Sequence, residues 1–416
     1  MAILKSFKGF RPKAELAAKI ASRPYDVLNS EEARREVEVN PYSFLRVVKP
    51  EVDLPPETDH YSDVVYQTGK NNLERMIEEG TFFQDENPSL YVYAQTMNGV
   101  TQYGLVGCAS ILDYINNVIR KHELTRPDKE EDRKKHIRIS NFNAEPVFFA
   151  YPPHVEIDQI VEKIVQSDPE YDFVAEDGIR HQVWVIGDEK YIKKLEAIFA
   201  TDIPFTYVAD GHHRTAAAAG VGEERRKADK NHNGREEYNY FLAVLFPADQ
   251  LSIIDYNRVV KDLNGLSESD FIDKLKSSFE VKEQGKKIFK PTRLHEFGMY
   301  ISGNWYSLQA KEGTYDDHDP IGQLDVTVLS EHVLSPLLDI TDLRKSKRID
   351  FVGGIRGLEE LERRVDSDEM KVAFALYPVS MEQLMDIADT GNIMPPKTTW
   401  FEPKLRSGLL LHNLDD

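Results

Sequence analysis

Residues 205–220 constrain this chain more than any other stretch, because they read as a strand, a tight turn and a helix in direct succession. The stretch opens with aromatic and β-branched residues that favour extended backbone, and Gly211 supplies permissive backbone at the turn. Thr215 and the four alanines behind it then predict a helix, which Gly220 can end. Together with the helical and strand patterns elsewhere in the chain, this junction predicts an α+β fold.

The turn concentrates polar chemistry in five consecutive residues, Asp210, Gly211, His212, His213 and Arg214. Free N–H groups and the dipole at a helix N-terminus attract anions, and a guanidinium meets phosphate oxygens bidentately. The carboxylate could hold magnesium or orient an imidazole, whereas adjacent histidines point in different directions and are poor joint ligands of one metal. A histidine pair by itself would indicate an ordinary polar turn, but the five residues together favour an anion-binding site.

A second candidate lies near the C-terminus, where Lys397, Thr398 and Thr399 follow a predicted helix and Lys404 and Arg406 stand close behind. A lysine, two hydroxyls and exposed amides can cradle a phosphate or a carboxylate. The glycine-rich Walker loop is absent from the sequence, so this stretch by itself also reads as an ordinary basic loop.

Lys404 and Arg406 are weaker candidates than Lys397, Thr398 and Thr399, and several residues elsewhere in the chain are weak candidates as well. Asp26, beside Tyr25, is a carboxylate at a rigid turn, where capping of a helix is the ordinary role. His122 and Arg133 lie in charged surroundings that favour solvated surface. Cys108, the only cysteine, reads as a small core residue because nothing near it in sequence would activate a thiol.

The length and net charge of the chain limit the kinds of protein to which it can belong. With 416 residues we expect two domains, with a boundary near residue 260 and room for a long insertion. A net charge of −19 argues against binding to nucleic acid or to an anionic membrane surface, and no apolar run is long enough for a membrane span. One cysteine excludes an internal disulfide and no signal-peptide pattern is present, so we expect a cytoplasmic protein.

Two local patterns outside the turn also yield predictions. The segment 43–48 contains Phe44, Leu45, Val47 and Val48, and these apolar residues predict a short strand. The charged run 126–135 predicts either the start of a helix or a surface loop.

Three stretches together resemble the free L-serine kinases, whose signature box is similar to that of ParB/sulfiredoxin-like proteins. They are the box at 207–217, the C-terminal segments at 371–376, 381–391 and 394–399, and the segment 22–28 around Asp26. Their order along the chain matches that of the kinases. The chain is accordingly identified as a member of a large family of long bacterial proteins related to these kinases.

The resemblance implies a domain organisation and an activity. A ParB/sulfiredoxin-like domain would span 1–260, with an insertion at about 50–200, and a C-terminal α+β domain would span 261–416. The implied activity is phosphoryl transfer to the hydroxyl of free L-serine to give O-phosphoserine. Magnesium is expected, with pyrophosphate, ADP or ATP as the phosphoryl donor.

The resemblance also implies roles for the candidate residues. Asp26, where the kinases usually carry Glu, would be the general base, and Asp210 would be a second essential carboxylate. The transferred phosphate would lie on Gly211, His212, His213 and Arg214, and Lys397, Thr398 and Thr399 would bind phosphate or the serine carboxylate. A phosphoryl-transfer transition state needs cations and N–H donors on its equatorial oxygens together with a carboxylate to take the proton, which these residue types supply.

Two other functions stay open at the level of sequence. One is a ParB-like nucleotide-binding regulatory or partner-binding module without kinase activity, although the acidic charge opposes DNA binding. The other is sulfiredoxin-like repair chemistry, which needs a cysteine beside the box. Cys108 lies 102 residues before Asp210.

Overall fold

The structure, a computed structural model, describes residues 1–415 and divides them into two compact units. The first unit comprises Met1–Leu251 together with the chain from Pro403 onward, and the second comprises Ser252–Glu402. Helices and several sheets occur side by side, which confirms the mixed α+β class. The domain boundary near residue 260 and the ParB/sulfiredoxin-like character of the first domain stay predictions.

Both units contain helices and strands. In chain order, the helices are α1 (Ala14–Ile20), α2 (Ser30–Val39), α3 (Leu45–Val48), α4 (Asp63–Glu78), α5 (Ile111–Ile115), α6 (Pro127–Ser140), α7 (Val155–Ile164), α8 (Glu189–Asp202), α9 (His212–Ala228), α10 (Glu268–Leu275), α11 (Asp325–Leu329), α12 (Glu359–Asp366) and α13 (Met381–Asp389). The strands are β1 (Leu4–Lys5), β2 (Phe10–Pro12), β3 (Phe82–Gln84), β4 (Leu90–Met97), β5 (Val100–Ser110), β6 (Ile119–Arg120), β7 (Phe142–Asn143), β8 (Val147–Tyr151), β9 (Tyr171–Val174), β10 (Arg180–Ile186), β11 (Thr206–Asp210), β12 (Tyr240–Pro247), β13 (Ile253–Ile254), β14 (Tyr256–Val260), β15 (Phe279–Gly285), β16 (Glu296–Ile301), β17 (Asn304–Ala310), β18 (Ile349–Gly353), β19 (Val372–Ala375), β20 (Trp400–Phe401) and β21 (His412–Asn413). None of the helices among the described residues has the length and apolar composition that crossing a bilayer requires.

The first unit is built on one large sheet with the strand order β6-β11-β8-β12-β5-β4-β10-β9, to which β1 adds beside β5. Strand β12 runs parallel to β8 and β11 runs parallel to β6, whereas the other pairs are antiparallel. The segment at about 50–200, expected as an insertion, supplies β4, β5, β6 and β8 to β10. It therefore forms part of the same sheet as β11, the strand that precedes the turn at residues 210–214.

Helix α9 begins at the turn and continues to Ala228, so the prediction that Gly220 ends it is wrong. Gly220 serves packing instead. A Cβ atom built there would lie 2.4 Å from Cε of Lys134, which belongs to α6. Two residues on, a Cβ at Gly222 would lie 2.4 Å from the carbonyl oxygen of Tyr238. The small side chains of α9 let neighbouring elements approach closely, and this close packing outweighs the helix-ending preference of glycine.

Two other local patterns resolve into helices. The predicted strand at 43–48 is wrong, because Leu45–Val48 form the short helix α3 and all but Arg46 are buried. A short apolar run fits a buried helical turn as well as a strand, and tertiary packing decides between them. Residues 127–135 of the charged run belong to α6, and the proline at its first position fits a helix start. Asn141, directly after the helix, is left-handed with φ 66°.

The second unit contains a sheet with the strand order β15-β17-β16-β19-β14-β18 and a separate pair formed by β13 and β20. One side of the six-stranded sheet carries a core that includes Val259, Trp305 and Leu361. Strand β14 lies inside this sheet, paired antiparallel with both β18 and β19.

Candidate functional site

The approach of β11 to α9 fixes the geometry of the turn. Strand β11 pairs with β8, and its register shifts between Val208 and Asp210, which is a bulge that re-aims the end of the strand. Gly211 then adopts φ 92°, a left-handed conformation that glycine accepts without strain. A Cβ atom on Gly211 would lie 3.1 Å from Nε of Arg214, so the guanidinium of Arg214 occupies the space that a side chain at residue 211 would need.

Asp210 is held by two cations. Its Oδ2 accepts a hydrogen bond from the guanidinium of Arg214 at 2.8 Å, and its Oδ1 accepts one from Nζ of Lys404 at 3.0 Å. Burial by itself would raise the pKa of Asp210, but the charges of Lys404 and Arg214 outweigh it and hold that pKa well below its usual range. The carboxylate therefore stays ionised and oriented, and it is a weak acceptor for a proton.

Arg214 is buried and carries a donor that has no acceptor. One terminal nitrogen donates to the carbonyl oxygen of Pro146 at 2.7 Å and the other donates to Asp210. Its Nε has no hydrogen-bond partner within residues 1–415. Burial opposes the charge of Arg214, but Asp210, Asp26 and Glu145 raise its pKa and keep it positive.

His212 and His122 form a buried pair beside this guanidinium. Their rings meet edge to face with centroids 4.5 Å apart, and Nδ1 of His212 lies 3.9 Å from Oε2 of Glu123. Burial lowers the pKa of His122 to about 4, and burial together with His122 holds that of His212 well below its usual range. In the described part of the chain, Nε2 of His212 and both ring nitrogens of His122 have no hydrogen-bond partner. Both rings are therefore neutral near pH 7, and each has at least one ring nitrogen without a hydrogen-bond partner among the described residues.

The side chain of His213 points in a different direction from that of His212, as adjacent residues of a helix do. Its Nε2 accepts a hydrogen bond from the backbone N–H of Arg126 at 3.0 Å, which leaves the proton of the neutral ring on Nδ1. Burial lowers the pKa of His213, and the charge of Asp26 opposes that effect. His213 is thereby tied to the start of α6.

Tyr25 and Asp26 lie within the electrostatic reach of the turn. The backbone N–H of Tyr25 donates to Oε1 of Glu145 at 3.3 Å, and the guanidinium of Arg133 lies 3.8 Å from the centre of the Tyr25 ring. Asp26 is exposed, and its charge raises the pKa of Arg214. The structure thus brings Tyr25, Asp26 and Arg133 to the region of Arg214.

Glu145 is a member of this cluster that the sequence reading missed. It accepts a hydrogen bond from Arg133 at 3.3 Å, and burial raises its pKa although Arg133 and Arg214 oppose that shift. The only signal in the sequence is an acidic residue with Pro146 directly before the apolar strand β8. That signal is weak, because acids flank apolar strands in many loops.

Arg406 and Cys108 contact residues other than those of the turn. Arg406 is buried, donates to Glu176 at 3.2 Å and also to Asp177, and its Nε lies 3.4 Å from Nε2 of His181. All of these contacts lie within the first unit. Cys108 is fully buried in β5, and burial raises the pKa of its thiol well above the usual value, which argues against nucleophilic repair chemistry.

The predicted C-terminal cradle belongs to the second unit. Lys397 is exposed with φ 60°, an uncommon left-handed conformation for a lysine. Thr398 is buried, and its hydroxyl donates to the carbonyl oxygen of Pro395 at 2.6 Å. The hydroxyl proton of Thr398 is therefore used within the loop, and the roles of Lys397, Thr398 and Thr399 in binding a ligand stay predictions.

The residues at the turn do not form a resident metal site. Among residues 1–415, no group of three His, Cys, Asp or Glu side chains is arranged to hold a metal ion. Both oxygens of Asp210 are engaged by cations, which compete with any metal. Asp210 as a magnesium ligand thus stays a prediction that this geometry does not favour.

One family model and several solved structures are similar to this chain. A family model described as "Protein of unknown function (DUF1015)" matches residues 4–327. No curated protein matches the chain. Solved structures similar to it include a conserved hypothetical protein from Pyrococcus furiosus, at 15% identity and TM-score 0.35, covering 70% of this chain and 90% of that one. A free serine kinase in complex with AMP is similar at 13% identity and TM-score 0.37, covering 72% and 89%. SbnI with a C-terminal truncation, from Staphylococcus aureus, is similar at 11% identity and TM-score 0.38, covering 74% and 86%.

Proposed function

We propose that this chain, which belongs to the family described as "Protein of unknown function (DUF1015)", transfers a phosphoryl group to the hydroxyl of free L-serine to give O-phosphoserine. One observation carries the proposal. At the first turn of α9, Nε of Arg214 and Nε2 of His212 are buried without a hydrogen-bond partner in the described chain. Each such atom costs about 1–3 kcal/mol, which a bound oxyanion would recover. The N-terminus of a helix of 17 residues favours the same negative charge.

The two carboxylates have different roles in the proposed site. Asp210 is ionised and paired with Arg214 and Lys404, so it orients these cations and is a poor base. Asp26 is exposed, and its charge acts on His213 and Arg214. Because two cations already engage Asp210, the proton acceptor in the proposal is Asp26.

The proposed step is a direct displacement at phosphorus. The serine oxygen attacks the terminal phosphorus of the donor, and a new O–P bond forms. The bond between that phosphorus and the donor's bridging oxygen breaks, while the hydroxyl proton passes to the carboxylate of Asp26. Arg214, with neutral His212 and the amides of α9, would stabilise the charge on the equatorial oxygens.

The donor is proposed to be pyrophosphate, ADP or ATP, each of which carries a terminal phosphoryl group on a bridging oxygen. Magnesium is proposed to arrive with the donor's phosphates, because such complexes need few protein ligands. Lys397, Thr398 and Thr399 are proposed to bind phosphate or the serine carboxylate, as the sequence resemblance implies. A ParB/sulfiredoxin-like fold for the domain that carries the turn is part of the same proposal.

The test is incubation of the full chain with L-serine, magnesium and one donor at a time, with phosphoserine followed by phosphorus NMR and mass spectrometry. We expect phosphoserine with at least one donor. Asp26→Asn should lower the rate by about 100-fold or more, whereas the exposed Asp168→Asn should leave it unchanged.

Three outcomes would change the assignment. Absence of phosphoserine with every donor contradicts the kinase. Saturable nucleotide binding without product would instead favour a ParB-like nucleotide-binding regulatory or partner-binding module. A wild-type rate in Asp26→Asn would move the base to another residue.

A further inference from the structure

Arg258 is a buried cation in the second unit that lacks an anion. It lies in β14 and is 1% exposed. One terminal nitrogen donates to the carbonyl oxygen of Tyr256, and the other donates to that of Lys397 at 3.0 Å. No carboxylate of the described residues lies within ion-pair distance of its guanidinium, which lies 5.4 Å from the centre of the Phe351 ring.

The other buried arginines show how unusual this is. Arg133 is paired with Asp132 at 2.7 Å, Arg214 with Asp210 at 2.8 Å, and Arg406 with a glutamate and an aspartate. Each of them sits in the first unit with its counter-charge supplied by the protein. A buried charge without a partner is costly, and two backbone carbonyls offset only part of that cost. Burial accordingly lowers the pKa of Arg258 to about 10.

The surroundings of Arg258 supply a second cation and a loop of uncommon conformation. Lys397, whose carbonyl accepts from Arg258, is exposed and left-handed, and its ammonium lies 5.8 Å from the centre of the Tyr256 ring. The edge of Tyr256 meets Trp400 with centroids 5.0 Å apart. A non-glycine residue with positive φ costs about 1 kcal/mol or more and is often retained where a ligand is bound.

We propose that Arg258 and Lys397 form an oxyanion site in the second unit that takes a phosphate group. Two cations match a dianionic phosphate better than a monoanionic carboxylate, and the planar guanidinium can meet two of its oxygens. Arg258 is the anchor, because it is buried and unpaired, and Lys397 is the accessible partner. The identity of the phosphate as that of the donor or of phosphoserine rests on the proposed function, whereas binding itself is measured without turnover.

The experiment uses the full chain and isothermal titration calorimetry with orthophosphate, pyrophosphate, O-phosphoserine and AMP in separate arms. The four arms show which phosphate source the site prefers. We expect Arg258→Met to weaken the preferred ligand by about 10-fold or more, as loss of a charged hydrogen-bond donor does. Lys397→Met should weaken it by a smaller factor, and Lys290→Met, at another exposed lysine of the same unit, should not change it.

Folding is controlled by circular dichroism. Arg258→Met removes a buried charge and two hydrogen bonds to backbone carbonyls, so the first measurement is whether this variant remains folded. If it does not, Lys397→Met decides, because Lys397 is exposed. Affinity within twofold of wild type in the folded Arg258→Met chain, or in Lys397→Met when that variant decides, overturns the proposal, as does absence of saturable binding of all four probes.

Failure of this site and failure of the kinase are distinguishable. Phosphoserine formation together with unchanged phosphate affinity in Arg258→Met would leave the kinase standing and remove the site. Phosphate binding that depends on Arg258, without phosphoserine formation, would leave the site standing and remove the kinase.

Discussion

At the scale of single residues, the partners of each charge decide what it can do. Asp26 and Asp210 are both aspartates at turns in the sequence, but only Asp210 is locked between two cations. The sequence identified both and ranked Lys404 as a weaker candidate, because no local pattern shows that Lys404 meets a residue 194 positions away. Glu145 was not predicted for the same reason, because no local pattern shows which charges it meets. The types of residue in the site were thus predictable, whereas their pairing was not.

The first prediction concerns Lys404. Replacing it by Met removes one of the two cations that bind Asp210, together with a charged hydrogen bond, which should lower the free energy of unfolding by about 1–3 kcal/mol. Lys227→Met removes an exposed pair with Glu223 and should cost less than about 0.5 kcal/mol. Urea unfolding of both variants measures the difference, and equal costs would show that the Lys404 pair contributes no more than a surface pair.

The second prediction concerns acid sensitivity. The pKa of His122 is lowered from 6.5 to about 4, so between these values the unfolded chain binds the proton and the folded chain does not. The contribution of His122 to stability is therefore complete above pH 6.5 and is lost as the pH falls towards 4, by roughly 3 kcal/mol in all. His122→Phe should flatten the dependence of the unfolding free energy on pH in that window.

A matched variant controls for the other histidines. His318 is exposed, so His318→Phe should keep the wild-type pH dependence. The same slope in His122→Phe and wild type would show that His122 is not held neutral by the fold.

At the scale of elements, the junction between β11 and α9 is the part that the sequence described best. Strand, turn and helix all appear in the predicted order, and the glycine of the turn is left-handed. The end of the helix was misread at Gly220, because glycine can either end a helix or permit close packing, and only tertiary neighbours, such as the Tyr238 carbonyl beside Gly222, decide between these uses. The helix α3 was misread as a strand because the four apolar residues of the short segment 43–48 show no distinctive period.

The third prediction tests the turn. Gly211→Ala places a Cβ atom at φ 92° and 3.1 Å from Nε of Arg214, so it should cost about 1–3 kcal/mol and displace the guanidinium. Gly187 has no positive φ and open space around it, so Gly187→Ala should be neutral or stabilising by up to about 1 kcal/mol. Thermal unfolding compares the two variants, and a neutral Gly211→Ala would contradict the left-handed, closely packed geometry assigned to the turn.

At the scale of the whole molecule, the first unit is assembled from distant parts of the chain. The chain leaves it at Leu251 and returns at Pro403. The returning segment carries Lys404, buries Leu411 fully, and pairs β21 with β7. Composition shows no such return, because the segment is short and its apolar residues suit either unit.

The fourth prediction follows from this return. Deleting residues 403–416 removes a paired strand, buried leucines and one cation of Asp210, so the first unit should lose its cooperative unfolding transition. Leu411→Ala in the full chain should cost only about 2–5 kcal/mol and keep a cooperative transition. Hydrogen exchange of peptides from 1–251 measures both, and wild-type protection in the deleted chain would show that the segment is dispensable.

The sequence by itself determined the mixed α+β class, the strand–turn–helix junction and the kinds of chemical group that stand there. These features follow from backbone preferences and residue types that act over a few neighbouring positions. Only the tertiary structure decided that Lys404 and Arg214 neutralise Asp210, that Glu145 joins the cluster, and that Arg258 is buried without a carboxylate. Those facts depend on contacts between residues far apart in the chain, where burial removes water and makes each missing or added partner matter.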